Sequence, residues 1–194
     1  MEYSDCPEKK LLTGENPEVI LADVMETWIQ RSERNKQHNK KIIKNRKNSQ
    51  KRWYSGKKKY HTIKTRIVIC AETKLITAVF ADCGHKHDFD LWKNSIGVKA
   101  VKHIKIKADK AYQGINKLHE NSGTPKKKSE NHPLTKEEKA DNRRINPERI
   151  YVEHTNCRLK RYRVFSERYR NRRKRFGLRI PLFCALHNFE LTAI

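Results

Sequence analysis

The sequence predicts an α/β fold in one domain: a mixed β-sheet flanked by helices, with a basic insertion after the first strand. Three observations lead there. Apolar residues alternate with lysines through Ile104-Lys105-Ile106-Lys107-Ala108, the period of a half-buried strand, and the run stops at Asp109. Two runs rich in Ile, Val and Thr, Tyr60 to Cys70 and Leu75 to Cys83, flank Glu72-Thr73-Lys74, which is short enough for a hairpin turn. Beyond Pro133 the chain reads as helical to its end, with a break near Gly177. Strands come first, then a helix, a strand and further helices, the order of a sheet covered by helices.

Residues 1–17 are polar, contain Pro7, Gly14 and Pro17, and read as a frayed leader before a domain spanning 18–194. Val19 to Glu26 is a short apolar run closing in acid, the first strand, with Asp23 placed at its end. Residues 30–59 are mostly Lys, Arg, Asn and Gln, an insertion closed by Lys51-Arg52-Trp53-Tyr54-Ser55-Gly56-Lys57-Lys58-Lys59. Trp53 and Tyr54 amid those cations either stack on bases or pin the insertion to the sheet. Asp88 suits the N-cap of a helix through Phe89, Leu91 and Trp92. A helix is expected from about Tyr112, and Gly123 to Lys128 gives a loop or short edge strand. Leu182, Leu186 and Phe189 supply the apolar face of the last helix.

Charge narrows the function. The 194 residues hold 45 Lys and Arg against 22 Asp and Glu, a net +23, which favours a polyanionic partner. On composition alone, a ribosomal or nucleoid protein that only neutralises phosphates fits as well. Five scattered cysteines without a Cys-x-x-Cys pair indicate reduced thiols in a cytosolic setting. Cys83-Gly84-His85-Lys86-His87 matches no structural zinc spacing and reads as a turn into the Asp88 helix. There is no apolar signal core and no run near ~18 apolar residues, so no membrane span is expected. A cytoplasmic, nucleoid-associated location follows.

Three isolated acids remain: Asp23 and Asp109 at strand ends, and Glu153 on a later helix. Arg149 lies four residues before Glu153 and Lys160 seven after, so all three share one helix face. Singly, Asp23 reads as a turn or cap residue and Glu153 as a solvated ion pair with Arg149. Jointly, carboxylates from separated segments suit two-metal phosphoryl chemistry, which needs oxygen ligands around cations ~3.5–4 Å apart. There is no Gly-rich phosphate loop and no Ser-His-Asp arrangement. The Arg168–Arg179 run, with Arg172, Arg173 and Arg175, is suited to phosphate contact without sequence readout.

The phrases Asp23-Val24-Met25-Glu26-Thr27, Tyr54-Ser55-Gly56-Lys57-Lys58-Lys59-Tyr60-His61-Thr62, Gly84-His85-Lys86-His87-Asp88-Phe89, Ala108-Asp109-Lys110-Ala111-Tyr112-Gln113-Gly114, Val152-Glu153-His154 and Arg168-Tyr169-Arg170-Asn171-Arg172-Arg173 occur in collinear order. In them the chain resembles the DDE transposases of bacterial insertion sequences, in the group related to Harbinger-type elements. The resemblance implies an RNase H-like fold and a catalytic triad of Asp23, Asp109 and Glu153 holding two Mg²⁺ or Mn²⁺ ions. It implies metal-dependent cleavage of double-stranded DNA at transposon ends, then strand transfer, in a homodimer or higher synaptic assembly. Arg149 and Lys160 match the family's cations around the glutamate, and Lys57, Lys58 and Lys59 join the DNA contacts. Ala111, Asn146 and Met25 depart from common family residues, and none removes a ligand. Such proteins usually carry a helical DNA-binding region before the first Asp, where here only 22 residues stand. The chain is therefore expected to be a catalytic half served by a separately encoded N-terminal DNA-binding frame, or an inactive truncated remnant that binds DNA non-specifically.

Overall fold

A computed structural model of the chain describes residues 9–10, 17–31, 50–93, 104–112, 114–128, 133–171 and 173–193. Its strands are β1 (Lys9–Lys10), β2 (Val19–Trp28), β3 (Thr62–Cys70), β4 (Ile76–Cys83), β5 (Lys105–Ala108) and β6 (Ser122–Gly123). They form one sheet in the order β1-β4-β3-β2-β5-β6. β2, β3 and β4 are a three-stranded antiparallel meander, and β5 and then β6 extend it in parallel. Without the two-residue edge β1, the strands run third, second, first, fourth, fifth, the mixed order of an RNase H-like α/β sheet. The helices are α1 (Asp88–Lys93), α2 (Lys136–Leu159), α3 (Arg163–Ser166) and α4 (Phe176–Thr192).

The alternation along β2 sorts its side chains into two cores. Leu21, Met25 and Ile29 join Val152 and Leu159 of α2, Phe165 of α3, and Phe176, Ile180 and Cys184 of α4. Ile20 and Ala22 join Trp92 of α1, Ile106, Tyr112 and Ile115 on the opposite face. Both faces of β2 are covered, which is why its sequence reads as a nearly continuous apolar run. Each fully buried Ile or Leu contributes ~1.5–3 kcal/mol by transfer from water. Gly84 is required where the chain leaves β4, because a Cβ there would run into Thr62.

Several expectations are corrected. β2 does not stop at Glu26: Thr27 and Trp28 pair with Ile63 and Thr62, so Asp23 lies in mid-strand. No α-helix starts at Tyr112. Two short 3₁₀ turns, Lys110–Tyr112 and Ile115–Lys117, follow Asp109, with Gly114 between them at φ 90, a left-handed conformation that stops a helix. The helical C-terminal region breaks after Leu159 and again after Ser166, where Tyr169 bridges to Ile29, whereas Gly177 is buried inside α4. Asp88 is the first residue of α1, and its carboxylate takes the Lys64 ammonium at 2.8 Å. Lys9 and Lys10 of the polar leader pair with Val79 and Ala78. Most of that leader, and residues 32–49 of the basic insertion, lie outside the described residues.

The last helix departs furthest. Leu182, Leu186 and Phe189 are 58%, 42% and 69% exposed. The buried set is Phe176, Gly177, Ile180, Cys184 and His187. α4 is apolar around most of its circumference, so its pattern alone does not say which side packs. Among the described residues Cys70, Cys83, Cys184 and Cys157 are free thiols, and no helix is long and apolar enough to cross a membrane.

Candidate active site

The parallel register of β2 and β5 runs from Val19↔Lys105 to Ala22↔Ala108. Asp23 and Asp109 occupy the next position on each strand. Chain reversal begins there for β5, where the Tyr112 N–H donates to the Asp109 carbonyl at 2.9 Å. Asp23 lies two residues from both Leu21 and Met25, so it shares their sheet face, the one that α2 covers. α2 docks there through Val152 and Leu159, and between them Asn156 Nδ2 donates to Asp23 Oδ2 at 2.8 Å. Asn156 is only 7% exposed, and its Oδ1 has no hydrogen-bond partner. Glu153 lies three residues earlier on α2, ~4.5 Å along the axis, and is exposed. The structure thus brings the first two acids onto neighbouring strands and puts the third on the helix that touches Asp23. Among the described residues, no three His, Cys, Asp or Glu side chains are grouped closely enough to hold a metal ion. The group that stands against Asp23 from α2 is the Asn156 amide.

The layer beneath is unusual for a core. Arg66 on β3 is fully buried opposite Val24, with its guanidinium 4.9 Å from the Trp92 ring. Burial lowers its pKa to about 10, still far above neutrality, while Tyr112 pulls it upward. Burial pushes the Tyr112 phenol well above its ordinary range; Arg66 opposes that shift, and Asp23, Asp88 and Asp109 add to it. Tyr112 therefore stays protonated and feels the charge of both strand acids, with a buried cation beside it. Lys64 bridges this layer to the surface, donating to the Lys86 carbonyl at 2.7 Å and to Asp88 at 2.8 Å.

The sequence-derived cations are spread out. Arg149 belongs to α2, and its side chain is outside the described residues, as is the whole of Arg172. Lys160 is the C-cap of α2 and is exposed. Lys57, Lys58 and Lys59 occupy an exposed turn after Trp53. Trp53 is buried in the main core with Arg173 stacked 4.8 Å from its ring, so it is an anchor, whereas Tyr54 is 40% exposed. Arg175 is exposed at the N-cap of α4. The Arg168–Arg179 run is not one solvated face: Tyr169 is buried, Arg168 lies over Trp28 and Arg179 over Tyr169. Cys83 and Gly84 are buried in the turn into α1.

Sequence reasoning missed Asn156, Arg66 and Tyr112. The spacing of Asn156, three residues after Glu153, puts both on one helix face and was a usable signal. A lone arginine in the run Ile63 to Cys70 was another.

Residues 39–188 match the family described as DDE superfamily endonuclease. A probable transposase for insertion sequence element IS702 from Microchaete diplosiphon is 43% identical over 192 residues, 98% of this chain. The chain spans 64% of that relative's length. No solved structure matches the chain.

Proposed function

The chain belongs to the DDE superfamily endonucleases, and we propose that it cuts double-stranded DNA at the ends of an insertion sequence and transfers the cut strand, using Asp23, Asp109 and Glu153. The observation that carries this reading is the placement of Asp23 and Asp109 one position beyond the Ala22↔Ala108 rung, with Asn156 of α2 bound to Asp23. Neighbouring strands lie ~4.8 Å apart, so both carboxylates are within reach of shared cations. The donors are all oxygen: two carboxylates, and the buried Asn156 Oδ1 that has no partner. That set fits Mg²⁺ or Mn²⁺, which take one or two carboxylates and complete their shell with water and phosphate oxygens. A pair of such ions, when bound, supplies charge to the phosphoryl oxygens and acidity to the attacking water.

The chain's own residues do the rest. Asn156 fixes one oxygen of Asp23 and so orients the carboxylate that would hold a cation. Arg66, buried and charged, offsets the mutual repulsion of the two strand acids from below. Glu153 stands one turn along α2 from Asn156 and would be the third carboxylate to hold the cations. Arg149 and Lys160, one turn before and two turns after Glu153, hold the scissile strand. Water attacks phosphorus and the P–O3′ bond breaks, leaving a 3′-hydroxyl and a 5′-phosphate. That hydroxyl then attacks a target phosphodiester, forming a new P–O3′ bond as the target's own P–O3′ bond breaks and its 3′-oxygen leaves with the proton.

The test separates chemistry from affinity. Asp109→Asn should abolish Mg²⁺-dependent nicking, because a neutral amide is a weak ligand for a hard cation, while duplex binding survives. Equal nicking by wild type and variant would overturn the reading.

A further inference from the structure

Trp28 ends β2 five residues beyond Asp23, ~17 Å along the strand at ~3.4 Å per residue. The chain has three tryptophans; Trp53 and Trp92 are buried, whereas Trp28 is 42% exposed. Its indole forms one wall of a cavity of ≈ 880 Å³ that is also lined by Arg163, Arg168, Arg170 and Arg179, with Glu167 the single acid. The wall is built, not incidental. The Tyr169 N–H donates to the Trp28 carbonyl at 2.8 Å and the Gln30 N–H to the Tyr169 carbonyl at 2.9 Å, which pins Arg168 and Arg170 on either side of the strand end. The Arg168 guanidinium lies 5.2 Å from the indole centre. The Tyr60 ring, outside the cavity, lies 5.3 Å from it at 46°.

We propose that this cavity holds an unpaired nucleotide of a DNA strand, its base stacked on Trp28 and its phosphates taken by Arg168, Arg170 and Arg179. Four arginines against one glutamate select an anion, and guanidinium groups suit phosphate oxygens. Phosphate contact alone would not call for a half-exposed indole. Inside a duplex both faces of a base are covered by its neighbours, so only an unpaired base has a face to offer. Stacking on an aromatic ring is sequence-tolerant. Glu167, 3.6 Å from Arg163, keeps phosphate away from that rim and leaves the other arginines to receive it. The incoming base takes the place of Arg168 over the indole, and Arg168 turns to the adjacent phosphate. This site does not depend on the carboxylates or on any cutting.

The test uses the full chain without divalent metal, so that nothing is cleaved, and two duplexes that differ only in a four-nucleotide unpaired tail. The tailed duplex should bind roughly 5- to 150-fold tighter, the range for loss of one stacked base, and should quench tryptophan fluorescence more than the blunt one. Trp28→Leu should bind blunt duplex like wild type and lose the tail preference. Asp109→Asn should keep that preference, so failure here is distinct from failure of the cutting reaction. Equal affinity and equal quenching with both duplexes, or a tail preference that persists in Trp28→Leu, would overturn the proposal and leave only duplex phosphate contact.

Discussion

A buried amide that donates to a carboxylate constrains both partners, and Asn156 does this to Asp23 from a helix 133 residues away in sequence. Its amide oxygen Oδ1, buried and unpartnered, leaves a desolvation cost of ~1–3 kcal/mol unless something binds there. Asn156→Ala should therefore weaken divalent-ion binding by about 10- to 100-fold, as is usual for a residue that orients a ligand. The measurement is the Mn²⁺ concentration needed to raise the melting temperature of the DNA-free chain. An unchanged Mn²⁺ response would show that Asn156 only packs. At this scale the sequence was half legible. Asp23 and Asp109 stood out because each interrupts or ends an apolar run, a feature of local pattern. Asn156 and Arg66 carried only a spacing and a lone charge as signals, and their partners depend on where α2 and β3 come to rest.

α2 is two helices in function. Its first half is exposed and held by a capping box between Thr135 and Glu138, with Lys126 reaching Glu138 at 3.0 Å. Its second half, after Pro147, carries the buried Val152, Thr155, Asn156 and Leu159. Pro147 removes one helical hydrogen bond at the joint between the solvated and the packed halves. α4 is fixed by a side-chain clamp: Asn188 accepts from the Ile76 N–H at 2.8 Å and donates to its carbonyl at 2.9 Å. Beside it His187 is 2% exposed, and its Nε2 has no partner. Burial lowers the His187 pKa below 6.5, and Arg158 adds to the shift. A lowered folded-state pKa means that the unfolded chain binds the proton more readily. The stabilisation is therefore complete above pH 6.5 and is lost as the pH falls toward the lower folded value. The melting temperature should drop between pH 6.5 and 5, less steeply in His187→Leu; identical slopes would remove His187 from the account. β5 was legible from its period, and β3 and β4 from their Ile, Val and Thr content and the short turn between them. The last helix was not, since apolar residues surround it and only docking selects a side.

Across the whole molecule, 45 cationic residues against 22 acidic ones set a long-range positive field. If the exposed turn at Lys57–Lys59, the arginine segment and the insertion together meet ~6–10 phosphates, affinity for random duplex should fall by roughly three to five decades between 50 and 200 mM salt. Fluorescence anisotropy over that range checks it, and a log–log slope shallower than about −2 would mean that few phosphates are neutralised. The mixed sheet order was legible as a class because strands precede helices. The pairing of β2 with both β3 and β5 was not, because it joins segments that local pattern cannot relate. One consequence lies in the colloidal behaviour of the chain. Leu178, Leu182, Leu186 and Phe189 are 63%, 58%, 42% and 69% exposed, on a helix whose residues 180–193 contain no Lys or Arg. At low ionic strength the net positive charge keeps copies apart; at ~0.15 M salt the screening length shrinks to ~8 Å and that stripe can meet its like. Salt should then do two things at once, releasing the chain from DNA and making it cloud. Light scattering of the DNA-free chain should rise with salt and concentration, and Leu182→Lys with Phe189→Lys should suppress the rise. Duplex DNA added first should keep the solution clear, making the polyanion its natural solubiliser.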